Sequence, residues 1–349
     1  HYFKTPKNIL ESVILISIVI PAHNRPAFLL EAINSIAVQT YSNFEVIVID
    51  DGSVPCILLS ELKRVLGQRV SLYRNDFALG VPKAKNAGVK AAKGEITLIL
   101  DDDDLLMPNT LERIFWAFSN YPNIDCLFLR VQPFGPYADN VAESSNFSLC
   151  DVINKSNPEE QDKLYFFSGN LFDALITTVP IDFQRPAARR GFWNITGGFD
   201  ENCLYSESAW AIHASCIGTL ALTKEPATQW RIHDNNFGWP PNLNLDQIRQ
   251  RQMNNEIAAT QQLLRTFKSQ KEAWKVRIKK MELNFSDQLF SKAYYLRDKN
   301  RYEGIRALLS SFILQPKAKH LKLTISYLFP LQWIKSHFYK EKTNKTKIE

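Results

Sequence analysis

Glu95-Ile96-Thr97-Leu98-Ile99-Leu100-Asp101-Asp102-Asp103-Asp104 is an apolar run that breaks off into four consecutive carboxylates. A short apolar run, rich in β-branched residues and preceded by the turn Lys93-Gly94, reads as a buried strand. Adjacent carboxylates repel one another and suit the interior of neither strand nor helix, so the strand ends at Leu100. Two readings of the tetrad stay open on the residues alone. One is a solvated acidic loop ahead of a helix starting near Pro108. The other is a ligand site, because open α/β sheets bind ligands beyond the carboxyl ends of their strands. Clustered Asp oxygens suit a hard divalent cation, Mg2+ or Mn2+, which would also hold a phosphate-bearing substrate.

Working outward, the pattern alternates. Residues 13–20, 44–49, 69–73 and 124–131 read as further strands. Residues 28–38, a stretch reaching Leu66, residues 80–93 and residues 111–118 read as helices, and Pro26 suits a helix start. Alternation predicts a mostly parallel sheet with helices on both faces and right-handed crossovers. The second strand ends in Asp50-Asp51-Gly52-Ser53, and the first in His23-Asn24-Arg25, so carboxylates and cations should gather along one sheet edge. No Walker loop and no G-x-G-x-x-G follows the first strand, which argues against a P-loop NTPase or a dinucleotide dehydrogenase. Residues 134–162, rich in Pro, Asn, Ser and Asp, read as a long loop. Residues 168–177 read as helix. The basic patch Gln184 to Arg190 is either a solvated strand and turn or a contact for an anionic ligand. Ser206 is the expected N-cap of the next helix, and 220–224 and 227–232 read as short strands.

Composition sets the class. The chain has 349 residues, 45% hydrophobic and 22% charged, as in an ordinary globular protein. Its net charge of +6 does not by itself call for nucleic acid, and none is expected as partner. Five widely spaced cysteines without a CxxC pair argue against a zinc site or a disulfide framework, which makes a reducing cytoplasm the expected compartment. No segment reaches the roughly 18 apolar residues of a membrane span. The apolar run 13–22 reads as a core strand, not a signal peptide.

Several blocks together resemble the family 2 glycosyltransferases of the GT-A fold. They are Ile18 to Pro26, Gln39 to Ser53, Gly80 to Gly94 with Lys85-Asn86-Ala87-Gly88, Leu100 to Asp104, Gly197-Gly198-Phe199-Asp200-Glu201, and Arg231-Ile232-His233. They stand in the family's order across residues 13–236. The resemblance implies an inverting transfer of a sugar from a nucleotide-sugar, usually UDP-linked, to a glycan or lipid-linked acceptor. It also implies a GT-A catalytic domain over 1–240, with a nucleotide-sugar half at about 13–131 and an acceptor half at about 132–240.

Carried over position by position, the resemblance puts Pro21, Ala22, His23 and Arg25 around base and ribose. Asp51 would accept from the nucleobase, and Lys85 would lie near the nucleotide where the family commonly has Arg. Asp101 and Asp103 would form the DxD, with Asp103 the metal ligand, Asp101 nearer ribose or metal, Asp102 beside the nucleotide site but pointing elsewhere, and Asp104 supporting the loop. His233 would approach the metal, while Asp200, Glu201 and Arg189 fall on the acceptor side. One departure stands out. The family carries a Glu-Asp pair after GGFDE, and its Asp is the usual base; here the pair is Glu207-Ser208. A serine is no general base without its own activation. Glu207 is therefore the expected base, and a relative that binds nucleotide or glycan without turnover is the alternative.

Beyond residue 240 the character changes to a helical C-terminal region, 241–349. Residues 244–280 read as a long charged helix, 285–314 as a helical hairpin turning near Asp298-Lys299-Asn300, and 321–339 as a basic amphipathic helix. The last is either a peripheral contact with the inner face of a membrane or a helix packed on the catalytic domain or a partner.

Overall fold

The computed structural model describes residues 13–203, 205–234, 236, 245–268 and 275–328. The chain forms two compact units, 1–248 and 249–349.

In the first unit β1 (Ile16–Ala22), β2 (Phe44–Asp51), β3 (Val70–Asn75) and β4 (Ile96–Ile99) are linked by α1 (Pro26–Ala37), α2 (Leu59–Leu66) and α3 (Val81–Ala91). Then follow β5 (Leu105–Leu106), α4 (Thr110–Asn120), β6 (Cys126–Phe128), β7 (Val131–Phe134), α5 (Asp139–Ser156), β8 (Glu159–Gln161), β9 (Leu164–Phe167) and α6 (Leu171–Leu175). The unit closes with β10 (Pro186–Arg189), α7 (Arg190–Thr196), α8 (Ser206–Ile217), β11 (Leu220–Thr223) and β12 (Thr228–Arg231). The large sheet has the order β3-β2-β1-β4-β10-β6-β11-β9-β8, and β5-β12-β7 forms a second sheet. β1 to β4, β6 and β11 run in one direction, with β10 and β9 against them. This is the mostly parallel α/β architecture that the alternation predicts.

Buried strands explain the continuous apolar runs. Every residue of β1 and β4 is buried, as expected for parallel strands covered by helices. α1 turns Leu29, Ile33 and Ile36 onto them, and each such side chain contributes about 1.5–3 kcal/mol by leaving water. Gly88 sets the spacing between α3 and β1. A Cβ there would lie 2.1 Å from Val19 Cγ1, so only glycine lets the helix lie this close to the strand.

Three expectations are corrected. Residues 134–162 are not a structureless loop, since α5 runs through them. Its buried Val141, Leu149 and Val152 form a stripe too narrow to stand out among its Asn and Ser residues. The strand expected over 124–131 is two strands in different sheets, β6 and β7. Ser206 is the first helical residue rather than the cap, which is Tyr205, and its hydroxyl donates to Glu207 Oε2 at 3.1 Å.

In the second unit, α9 (Leu245–Lys268), which begins just before it, is followed by α10 (Lys275–Leu296), α11 (Arg301–Leu314) and α12 (Ala318–Leu328). α10 and α11 form the expected hairpin, and Asn300 caps α11 by accepting from Glu303 N at 3.2 Å. Ala293, Ala307, Leu308, Leu323 and Tyr327 make its core. Among the described residues no helix is long and apolar enough to cross a membrane. The stretch 329–339 and Trp239-Pro240-Pro241 lie outside the described residues.

Candidate active site

Parallel strands put their carboxyl ends on one edge. In register, Ala22 stands opposite Asp50, and Val19 opposite Ile99. His23, Arg25, Asp51 and the Asp tetrad therefore emerge together. β10 runs the other way, so its beginning, Arg185, arrives at the same edge, and its end, Arg189, arrives at the opposite one.

The four aspartates share two arginines, Arg185 with Asp101 and Asp104 and Arg25 with Asp102 and Asp103. Asp101 Oδ1 lies 2.7 Å from Lys85 Nζ and its Oδ2 3.2 Å from Arg185. Asp102 accepts from His23 N at 3.2 Å and faces Arg25 Nη2 at 3.1 Å. Asp103 pairs with Arg25 and lies 3.2 Å from His233 Nε2. Asp104 is fully buried; Arg185 Nε donates to its Oδ2 at 2.8 Å, and Arg231 N to its Oδ1 at 3.0 Å. Arg231 also donates from Nε to Asp103 O at 2.8 Å, with its guanidinium between the Phe28 and Phe134 rings.

Four adjacent carboxylates are tolerated because these cations surround them. Burial opposes the charge on Asp101, yet Lys85 and then Arg185 hold it well below the usual carboxylate range. Burial pushes Asp102 up to about 7, against the pull of Arg25 and with Asp103 adding to the rise. Burial also raises Asp104, against the pull of Arg185. Arg185 is held above its ordinary range by Asp104 and Asp101 in spite of burial, so the guanidinium keeps its charge.

Lys85 is the link to the far half of the unit. Its amine, 1% exposed, bridges Asp101 and Glu207, with Glu207 Oε1 at 2.5 Å. Burial works against that charge, but Asp101 and Glu207 more than offset it and push the amine up to about 12. Ser208 accepts from Gln184 Nε2 at 3.3 Å, an amide that cannot take its proton.

The loop after β1 is braced against the loop after β2. His23 Nδ1 donates to Asp51 O at 2.7 Å, which leaves Nε2 to accept from Asn24 Nδ2 at 2.9 Å. Asn24 holds φ +54° and takes Val54 N on its Oδ1 at 2.7 Å. Asp51 Oδ1 accepts from Asn75 Nδ2 at 2.8 Å and Leu79 N at 2.9 Å, and Oδ2 from Gly80 N at 2.9 Å, so Oδ2 retains a second lone pair. Asp50 serves structure: it pairs with Arg74 and accepts from Ser53 N and Ile57 N. Pro21 and Ala22 end β1, both buried beneath this loop edge.

The turn at 197–201 is stapled to α3 by Asn86, a residue to which the sequence alone attaches no role. Its Nδ2 donates to Phe199 O at 2.8 Å and Glu201 Oε1 at 3.1 Å, and its Oδ1 accepts from Phe199 N at 2.8 Å. Asp200 Oδ1 caps Asn202 N at 2.9 Å within the turn.

Two expectations change. Arg189 does not belong to the acceptor side: it lies at the opposite sheet edge, 2.6 Å from Glu95, donating to Ile124 O and stacked on Phe118. Arg185, read as part of a solvated strand or an anion contact, is buried under the tetrad. Its signal was present in the sequence as a lone Arg before the apolar Pro186-Ala187-Ala188, but nothing local says that the strand is antiparallel.

One carboxylate oxygen from each of Asp101, Asp103 and Asp104 falls within 4.8 Å of the others. Asp104 is engaged by three donors, so within that trio Asp101 and Asp103 are the carboxylates better placed for a hard divalent cation, and His233 Nε2 lies 3.2 Å from Asp103.

A family model described as glycosyl transferase family 2 matches residues 17–209. The chain belongs to that family. An uncharacterized glycosyltransferase of Haemophilus influenzae is 33% identical over 114 residues, 33% of this chain and 38% of the relative. The Escherichia coli UDP-Glc:alpha-D-GlcNAc-diphosphoundecaprenol beta-1,3-glucosyltransferase WfgD is 35% identical over 98 residues, 28% of this chain and 38% of WfgD. The matched stretches thus span well under two thirds of these relatives. The fold is also that of S. aureus TarS, at 15% identity. A TarS crystal structure superposes with TM-score 0.56 over 87% of this chain and 81% of that one, and its complex with UDP-GlcNAc with 0.52 over 90% and 80%.

Proposed function

We propose that this family 2 chain is an inverting glycosyltransferase. It moves a sugar from a UDP-linked donor to a hydroxyl acceptor in lipid-linked or surface glycan synthesis, from a peripheral position on the membrane. The observation that carries the reading is the meeting of Asp101 and Glu207 on one buried ammonium, beside Asp103 and His233. This shared contact supports a reading in which a donor-side carboxylate and the base lie side by side. WfgD, a UDP-glucose enzyme with a diphosphoundecaprenol-linked acceptor, supports the donor and acceptor class.

Asp103 and His233, with Asp101, would hold Mn2+ or Mg2+, which when bound supplies Lewis-acid stabilisation of the departing diphosphate. The chain's own residues do the rest. The braced His23–Arg25 loop and Asp51 bind and orient the nucleotide. Arg25, beside Asp102 and Asp103, adds positive charge where the diphosphate would lie. Glu207 takes the proton from the acceptor hydroxyl as its oxygen attacks the anomeric carbon, a contribution typically worth about 10²–10⁴ in rate. Lys85 holds Glu207 in place through the contact to its Oε1. Asp200 and Glu201, on the stapled turn, face acceptor recognition.

Ser208 favours a second reading, a relative that binds donor without turnover, since the Gln184 amide beside it offers a donor and no base. UDP-sugar hydrolysis and UDP binding, each with and without Mn2+, separate the two. Mn2+-dependent hydrolysis is expected. Tight UDP binding with no hydrolysis or transfer of any common UDP-sugar establishes the second reading instead.

A further inference from the structure

α11 has two apolar faces. One is used: Ala307 and Leu308 pack with Ala293, Leu323 and Tyr327, and Ser311 is buried beside Ser286. Gly304 belongs to the same face, and a Cβ there would lie 1.9 Å from Tyr327 Oη, so α12 rests directly on the α11 backbone. The other face is largely exposed among the described residues, although the Phe312 ring meets His320 edge-on. Tyr302, Ile305, Leu309, Phe312 and Ile313 recur at helical spacing, and Tyr302, Leu309 and Ile313 are 72%, 57% and 80% exposed. At about 100° per residue they form a stripe roughly 100° wide. At 1.5 Å per residue it is roughly 17 Å long. Exposed Arg301 and Arg306 fall on its two sides. Apolar side chains scattered singly are ordinary on a protein surface, but a contiguous stripe on one helix marks a contact.

The charge of the chain is divided sharply between its units. Residues 249–349 hold 22 Lys and Arg against 8 Asp and Glu, a net charge of +14. Residues 1–248 hold 20 against 28, a net charge of −8. A partner for the stripe must therefore offer apolar depth and negative charge together. A second copy docking the same face would bring two strongly basic units together. A nucleic acid would match the charge and leave Ile305, Leu309 and Ile313 in water.

We propose that this face of α11 docks on an anionic phospholipid bilayer, the stripe entering the headgroup–acyl boundary and the flanking basic residues meeting lipid phosphates. The proposal rests on the membrane-peripheral part of the function above and not on glycosyl transfer.

Co-sedimentation of the 349-residue chain with vesicles tests it. Binding is expected to vesicles of phosphatidylcholine with about a third phosphatidylglycerol, and to be at least about tenfold weaker to phosphatidylcholine alone, as a charge-assisted interfacial helix requires. The double variant Leu309→Glu/Ile313→Glu is expected to lose binding about tenfold or more, while Leu309→Met/Ile313→Leu keeps it. Circular dichroism and UDP-sugar hydrolysis in solution, unchanged in both, separate lost docking from misfolding and from failure of the enzymatic reading. No binding to the anionic vesicles overturns the proposal. So does equal binding by the double Glu variant, or a dimer without vesicle binding that the same variant dissolves.

Discussion

The Lys85 ammonium lies 2.5 Å from Glu207 Oε1, across 122 residues of chain. The pair joins α3 to the first turn of α8. Glu207→Gln removes the proposed base and keeps the shape. Turnover is expected to fall by about 10²–10⁴ with little change in donor KM. Unchanged kcat would remove Glu207 from the role.

Asp103→Asn should behave differently. Its carboxylate faces Arg25 and His233, on the proposed donor side. Donor KM is expected to rise and kcat to fall together, and added Mn2+ is expected to recover less activity than in the unaltered chain. Titration of UDP-sugar hydrolysis against Mn2+ reads both effects.

Arg185→Met tests the interior of the cluster. The guanidinium holds Asp104 and approaches Asp101, so Asp104 would lose its buried counter-ion and Asp101 would keep only Lys85. Breaking a buried pair from one side costs about 3–5 kcal/mol. Urea unfolding of the variant is expected to show a loss of that order; an unchanged midpoint would mean that the tetrad is not held by Arg185.

Gly198 has φ +76°, and a Cβ there would sit 2.6 Å from Asn86 Oδ1. Gly198→Ala is expected to cost about 1–2 kcal/mol in backbone conformation. It should also displace the Asn86 staple, raising acceptor KM more than donor KM. Equal effects on both substrates would show that the turn does not serve acceptor recognition.

Asp182 gives a pH dependence away from the cluster. Burial pushes its carboxyl up to about 6 from an ordinary 3.8, while Val131 N donates to it at 2.9 Å. The raised value means that the folded state favours the neutral acid. Its contribution is fully present below about pH 4 and lost as pH rises through about 6. Each pKa unit is worth about 1.4 kcal/mol, so Asp182→Asn should gain about 3 kcal/mol relative to the unaltered chain between pH 4 and pH 7. Urea midpoints of the two proteins at both pH values check it. A pH-independent difference would place the Asp182 titration near its ordinary value.

The strand–helix alternation and the acidic edge were legible because they rest on local signals. An apolar run ending at Leu100, paired acids after Ile49 and a broken strand at Pro21 each report what their own few residues do. The C-terminal hairpin was legible for the same reason, through the break at Asp298 to Asn300. The readings that changed depend on partners far along the chain. α5 buries only a thin stripe, so its helical period hides among polar residues. Arg185 and Arg189, four residues apart, reach opposite edges because β10 runs against its neighbours, which no local pattern encodes. Asn86 looks like an ordinary polar residue until the turn at 197–201 is placed beside it.

The antiparallel insertion of β10 between β4 and β6 also orders events in time. The tetrad leaves the ribosome well before Arg185, Glu207 and Arg231, its partners or near neighbours in the cleft. A nascent chain that has extended only to Phe134 carries four adjacent carboxylates with Lys85 and Arg25 but without Arg185, the counter-ion of Asp104. A break in the chain between Phe134 and Arg185 would therefore leave the segment that carries the tetrad without the cation that holds Asp104.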